Sequence, residues 1–158
     1  MDWPPVRVDR RLHDGNTVTL GDVTLRAIHT PGHTPGCTTW TLSVVEKGRS
    51  LQLCFVGSFS INEGVRLLGD PEYPNRAQAY QRTFDLLRSL RCDVFLAEHP
   101  DAFDLERKAT HVGKGRNPFL DARGYRRAVA DGYNLFRKQL SKELRGQSST
   151  ERPHRSKN

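Results

Sequence analysis

Apolar and polar positions alternate with the period of a β-strand through much of the first 56 residues. Residues 18–27 read as a hairpin: Val18-Thr19-Leu20, a Gly21-Asp22 turn, then Val23-Thr24-Leu25-Arg26-Ala27, with β-branched residues on both arms. Two prolines and two glycines crowd the string Pro31-Gly32-His33-Thr34-Pro35-Gly36, which forbids regular structure and makes a loop. Residues 38–45 form the next strand, Lys47-Gly48 a turn, and residues 51–56 another strand. Residues 58–74 lack a period and carry Gly64, Gly69, Pro71 and Pro74, so a long loop follows.

The period then changes. Ala77, Tyr80, Phe84 and Leu87 fall at helical spacing and predict a helix over 75–90. Residues 92–97 are a short apolar strand that ends at Glu98-His99-Pro100. Tyr125, Val129, Tyr133, Phe136, Leu140 and Leu144 lie on one stripe of a final helix over 124–145. Strand pairs, then a helix, a strand and a helix predict an α/β (α+β) fold, one mixed sheet covered by helices on one face. Nothing in this order covers the other face. Residues 147–158, polar and basic, are expected to be a disordered tail.

A chain of 158 residues supports one modest core rather than two domains of ordinary size. No stretch approaches the roughly 20 apolar residues of a membrane span, so no membrane partner is expected. Met1-Asp2-Trp3-Pro4-Pro5 has no basic region followed by an apolar one. No signal peptide is expected, and the chain reads as cytoplasmic if Met1 is the true start. The net charge of +7 first points to an acidic partner, but residues 123–158 carry all of it, with ten Lys and Arg against three Asp and Glu. Without aromatic interleaving or a nucleic-acid module, this is a solvated helix face and tail, and no nucleic-acid partner is expected. Cys37, Cys54 and Cys92 form no CxxC pair and no zinc-ribbon spacing. Buried free thiols are the common explanation, and a Cys37–Cys54 disulfide stays open.

His33 is the most informative residue, because a rigid loop leaving a strand can aim its imidazole at a fixed point. Imidazole suits zinc, and a catalytic zinc takes three protein ligands plus a water. Gly32-His33-Thr34-Pro35-Gly36 resembles a ligand motif of the metallo-β-lactamase superfamily. Phe55-Val56-Gly57-Ser58-Phe59-Ser60 is a second point of resemblance. Many superfamily hydrolases place a metal-bridging aspartate where Ser58 stands, and a serine there is similar to the third subclass of class B β-lactamases. The third point is Asp93-Val94-Phe95-Leu96-Ala97-Glu98-His99-Pro100, whose histidine resembles the superfamily's last zinc ligand. The likeness continues through Gly36-Cys37-Thr38-Thr39-Trp40, Leu68-Gly69-Asp70-Pro71-Glu72-Tyr73-Pro74, Arg82-Thr83-Phe84 and Phe136-Arg137-Lys138-Gln139-Leu140.

That resemblance implies half of an αββα sandwich, with residues 1–146 as the C-terminal half. It also implies a two-zinc hydrolase acting on a β-lactam amide through zinc-bound hydroxide, and, for the intact family, a periplasmic or secreted location. On this reading His33 completes a three-histidine site and His99 belongs to an Asp-His-His site. Ser58 supports the site water, and Ser60, with Asn62, meets the substrate. Two departures stand out. The signature His-x-His-x-Asp-His is absent, and His13, His29, His111 and His154 are too scattered to replace it. Val65 stands near where some members carry a tyrosine. This chain is therefore expected to be a fragment with weak or no zinc binding and negligible activity alone. It would associate with an N-terminal half or with itself through its exposed sheet. A lactonase or thioesterase of the same fold is the alternative enzyme, against which Ser58 and Cys37 speak. A non-catalytic binding remnant is the alternative outside enzymes.

Overall fold

Alternating β-branched and apolar residues between Thr17 and Val56 fold as a meander. The computed structural model describes residues 4–150. In it β1 (Thr17–Leu20), β2 (Val23–His29), β3 (Thr38–Glu46) and β4 (Arg49–Val56) lie antiparallel in chain order. The β3–β4 turn needs two positive φ angles, supplied by Lys47 at 49° and Gly48 at 74°, which match the right-handed twist of a two-residue hairpin. The chain then leaves the sheet for α1 (Arg76–Ser89) and returns as β5 (Val94–Ala97), parallel to β4. The result is the expected mixed sheet with helices on one face.

Register decides what each face presents. On one side the cross-strand partners Ile28 and Thr39, Thr41 and Cys54, Cys54 and Phe95, and Val56 and Ala97 face the helices. Cys54, Val56, Phe95 and Ala97 pack there against Tyr80, Phe84 and Leu87 of α1 and Tyr125, Val129 and Phe136 of α3 (Ala122–Thr150). Phe84 lies at the centre, with ring centroids 5.7 Å from Phe59, 5.6 Å from Tyr133 and 5.7 Å from Phe136. Gly132 of α3 makes this possible, since a Cβ there would meet the Phe59 ring at 2.6 Å.

The opposite face is largely apolar, with the polar pairs His29–Thr38 and Glu46–Arg49 at its two ends. Val18 and Leu25, Ala27 and Trp40, Leu42 and Leu53, Val44 and Leu51, and Phe55 and Leu96 are cross-strand partners on it. Leu51 is buried, but Leu20 and Val23 at its edge are 84% and 50% exposed, and Phe55, near the carboxyl end of β4, is 41% exposed. No helix among the described residues is long and apolar enough to cross a membrane.

Three local features differ from expectation. Strand β5 begins at Val94, because Cys92 lies buried in the turn before it. A 3₁₀ turn (Pro100–Phe103) and α2 (Leu105–Ala109) occupy a stretch with no periodic signal. They are anchored by Lys108, buried to 2% exposure, whose Nζ pairs with Asp121 Oδ2 at 2.8 Å. Helix α3 runs to Thr150, so residues 147–150 of the expected tail are helical. Residues 151–158 of that tail lie outside the described residues. The open Cys37–Cys54 pairing is also resolved, since all three thiols are free. Cys54 pairs with Thr41, four residues beyond Cys37, a displacement of about 13 Å along a strand and well over the roughly 7 Å Cα limit of a disulfide.

Helix α3 also fixes the long loop after β4. Glu143 accepts the amides of Leu67 and Leu68 at 2.8–3.0 Å, and Gln139 Nε2 donates to the Val65 carbonyl at 2.7 Å. Burial raises the Glu143 pKa, but the Gln139, Leu67 and Leu68 hydrogen bonds and the charge of Arg66 together hold it below the ordinary carboxylate range. A carboxyl depressed in the fold adds stability above its unfolded pKa and loses it as pH falls through the folded value. Glu143→Ala is therefore expected to cost about 1.5–3 kcal/mol at neutral pH, and less under acid conditions where the carboxyl is already protonated. Urea unfolding at pH 7 and near pH 3 checks this; equal losses at both would contradict it.

Candidate functional site

Strands β2, β4 and β5 run in the same direction, so their carboxyl ends emerge together at one edge of the sheet. That edge collects the loop carrying His33, the segment with Ser58 and Ser60, and His99. Antiparallel β3 starts there, which brings Cys37 alongside them.

The His33 loop is held by its own backbone and by α1. Thr30 N donates to the Cys37 carbonyl at 2.9 Å, closing the loop at its neck, and buried Thr30 and Thr39 hydroxyls bond at 3.0 Å. Thr83 of α1 donates to the Pro31 carbonyl at 2.6 Å. Gly32 adopts φ 143°, and a Cβ there would strike the Tyr80 ring at 2.8 Å, so only glycine fits between His33 and α1.

His33 is half-buried, and its Nδ1 lies 2.9 Å from the Ser60 carbonyl. A carbonyl can only accept, so Nδ1 carries the proton and the Nε2 lone pair is left for an electrophile or metal. The Tyr80 hydroxyl donates to the same carbonyl at 2.6 Å. Burial raises the Tyr80 pKa far above neutrality, so the hydroxyl remains a donor. Ser58 is buried; its Oγ is 3.0 Å from Ser60 Oγ and accepts from the Ser60 amide at 3.4 Å. Cys37 Sγ donates to the Ser58 carbonyl at 3.2 Å. This approach depends on Gly57, whose Cβ would meet the Thr38 carbonyl at 2.6 Å and Cys37 Sγ at 2.8 Å. Burial raises the Cys37 pKa, the Thr30 hydrogen bond opposes this, and the nearby Glu98 charge adds to it. The Glu98 effect links the exit of β5 to the His33 loop. His99 follows in extended conformation (φ −110°, ψ 132°), as a residue before proline must, and is exposed.

The structure thus brings His33, Ser58 and Ser60 into one hydrogen-bonded group and puts His99 at the same edge. Asn62 lies further along the loop, exposed, its carbonyl accepting the Val65 amide at 3.1 Å. Ser60 and Asn62 line a cavity of about 840 Å³ between this loop and α3, floored by Phe59, Ile61 and Leu135. His29 Nε2 lies 2.7 Å from the Pro35 carbonyl and His111 Nδ1 2.7 Å from the Arg107 carbonyl, so neither joins His33. Among the described residues no group of three or more His, Cys, Asp or Glu converges to hold a metal ion. Sequence reasoning missed Tyr80 and Thr83, read only as parts of a helix. The signal was present in Tyr80, since a buried tyrosine hydroxyl needs a partner.

No protein-family profile matches the chain. A probable metallo-hydrolase of Burkholderia pseudomallei (strain 1710b) is 54% identical over 35 residues, 22% of this chain and 12% of that protein. The native FEZ-1 metallo-β-lactamase of Legionella gormanii superposes with a TM-score of 0.87 and 39% identity, over 90% of this chain and 55% of the FEZ-1 chain. BJP-1 of Bradyrhizobium japonicum, a subclass B3 metallo-β-lactamase, gives 0.83 and 34% over 92% and 55%. A metallo-β-lactamase of Cronobacter sakazakii gives 0.82 and 36% over 90% and 54%. With its sheet, its helices and about nine-tenths of its length matched, the chain is similar to metallo-β-lactamases, one of them of subclass B3, and spans a little over half the length of these relatives.

Proposed function

We propose that this chain is the part of a zinc-dependent β-lactam hydrolase that carries His33 and His99, one ligand for each of two zinc ions. The other ligands come from a segment outside this sequence, and the intact enzyme works in the periplasm or outside the cell. The observation that carries this reading is the orientation of His33. Its Nδ1–H is fixed on the Ser60 carbonyl, which leaves Nε2 as the lone-pair donor, the arrangement in which an acceptor behind the ring sets a metal-binding imidazole.

This chain's own donors fit a metal only in part. One imidazole per ion holds zinc weakly, because a catalytic site needs three protein ligands. Zinc in a completed site polarises a carbonyl and acidifies a bound water. The residues here hold and orient: Tyr80 and Ser60 set the His33 ring, and Ser58 presents a hydroxyl at the mouth of the parallel strands. On this reading exposed Ser60 meets the substrate carboxylate, and exposed Asn62, two residues on, meets the substrate as well. A lactonase or thioesterase of the same fold is disfavoured by Ser58 and Cys37. A binding role for the chain by itself has one observation in its favour, the apolar sheet face carrying Phe55, Leu53 and Leu42. That face suits an N-terminal half of the same fold or a second copy of the chain.

Three outcomes are expected. The purified chain hydrolyses no nitrocefin above background, even with added zinc. Mixing it with the N-terminal portion of a subclass B3 relative restores zinc-dependent turnover, which is lost in His33→Ala and His99→Ala. Efficient turnover by the chain alone, or by either histidine variant in the mixture, would refute the ligand assignment. Sedimentation of the chain alone shows self-association that Phe55→Asp weakens. A monodisperse monomer with Phe55 intact would show that the face needs no cover.

A further inference from the structure

On the helix-covered side of the sheet, away from the His33 edge, two thiols are buried together. Cys54 of β4 is fully buried and Cys92, in the turn before β5, is 5% exposed. The Cys54 Sγ–H donates to the Arg91 carbonyl at 3.5 Å, the peptide unit immediately preceding Cys92. The Cys92 Sγ–H reaches the Val94 carbonyl at 3.4 Å. The first contact sets the Cys54 sulfur beside the backbone of Cys92, and the neighbouring Cys92 lowers the Cys54 pKa.

The backbone around them is fixed from both sides. Asp93 N donates to the Gln52 carbonyl at 2.8 Å, and Gln52 N donates to Asp93 Oδ2 at 2.9 Å. Arg91 pairs with the same carboxylate at 2.8 Å and reaches the Ser50 carbonyl at 3.3 Å. Asp93 is held as an anion below the ordinary carboxylate range, first by the Gln52 amide, against a smaller opposing effect of burial, with Arg91 adding to it. The turn carrying Cys92 is therefore clamped to the β4 segment that carries Cys54. Neither thiol takes part in the His33 group.

We propose that Cys54 and Cys92 are a dithiol modification site, which a small peroxide converts into an intramolecular disulfide joining β4 to the α1–β5 turn. Hydrogen peroxide is small enough to reach a buried sulfur. Cys54 reacts first, because the neighbouring Cys92 thiol holds its pKa below the ordinary thiol value, its S–H turning from the Val94 carbonyl to the Cys54 thiolate as that forms. The Cys54 sulfur attacks one peroxide oxygen, the O–O bond breaks, and a sulfenic acid and one water form. The Cys92 sulfur then attacks the sulfenic sulfur, forming the S–S bond as the S–O bond breaks, and the hydroxyl leaves as a second water with the Cys92 proton. Two thiols and one peroxide give one disulfide and two waters. The cross-link encloses Ser58, Ser60 and all of α1, and makes covalent the alignment of the two strands whose ends carry Ser58 and His99.

The test uses the whole chain, treated with hydrogen peroxide, alkylated and digested with trypsin. Each cysteine falls in its own tryptic peptide: 27–47 for Cys37, 50–66 for Cys54 and 92–107 for Cys92. The expected product is peptide 50–66 joined to 92–107, with a mass lower by two hydrogens, reversed by dithiothreitol, and with Cys37 still alkylated. It forms in Cys37→Ser, is absent in Cys54→Ser and Cys92→Ser, and accumulates faster in the folded chain than in guanidinium chloride. Full alkylation of all three thiols after peroxide, unlinked sulfinic products, a bond through Cys37, or equal rates in folded and denatured chain would each overturn the proposal.

Discussion

The carbonyl oxygen of Ser60 accepts both the His33 Nδ1–H at 2.9 Å and the Tyr80 hydroxyl at 2.6 Å. A single backbone atom therefore joins the proline-rich loop, the exit of β4 and helix α1. A carbonyl has two lone pairs, and both are engaged here. This carbonyl determines which nitrogen of His33 is free. Without Tyr80 the segment after Ser58 would lose its support from α1, and the His33 tautomer would lose a fixed acceptor. The glycines at 32 and 57 serve the same arrangement. Each sits where a side chain would push apart two elements that this contact needs close together.

The sheet faces two different environments. Toward the helices it presents mostly small and polar residues, Thr39, Thr41 and Cys54 among them, with Phe95 as its aromatic residue there, and the rest of the aromatic bulk comes from α1 and α3. Toward the other side it presents Trp40, Leu42, Leu53 and Phe55. A sheet with one solvated face normally alternates apolar-in and polar-out. Here the bulkier apolar residues lie on the face without helices. That inversion fits a chain spanning a little over half of the relatives it matches, and it is independent of any ligand motif.

Much of this was legible in sequence because the strands obey a strict period of two and the helices a clear stripe. Hairpin turns at Gly21-Asp22 and Lys47-Gly48 and the helix over 75–90 needed only local rules. The stretch after His99 was not legible, since its anchor is the pairing of Lys108 with Asp121 and no periodic pattern announces a buried lysine. Helix α3 was read as too short because its last turn carries polar residues, which a solvent-exposed helix end accommodates without a stripe. Of the candidate site, His33, Ser58 and His99 came from a resemblance rather than from spacing. The structure adds what spacing could not contain, namely that strand direction brings the three to one edge.

What this chain supplies toward a site is therefore a matter of number rather than placement. His33, Ser58 and Ser60 are each fixed by contacts made within the described residues: to Ser60, to Cys37 and to Tyr80. None of those contacts uses the open apolar face. The loop bearing Asn62 is likewise secured from behind by Glu143 and Gln139 of α3, on the far side of the sheet from that face. The positioning of these groups and the completion of the sandwich are thus physically separable. On the proposed function, the orientation of these groups is set within the chain itself, and a partner would add the remaining ligands and a cover for the apolar sheet.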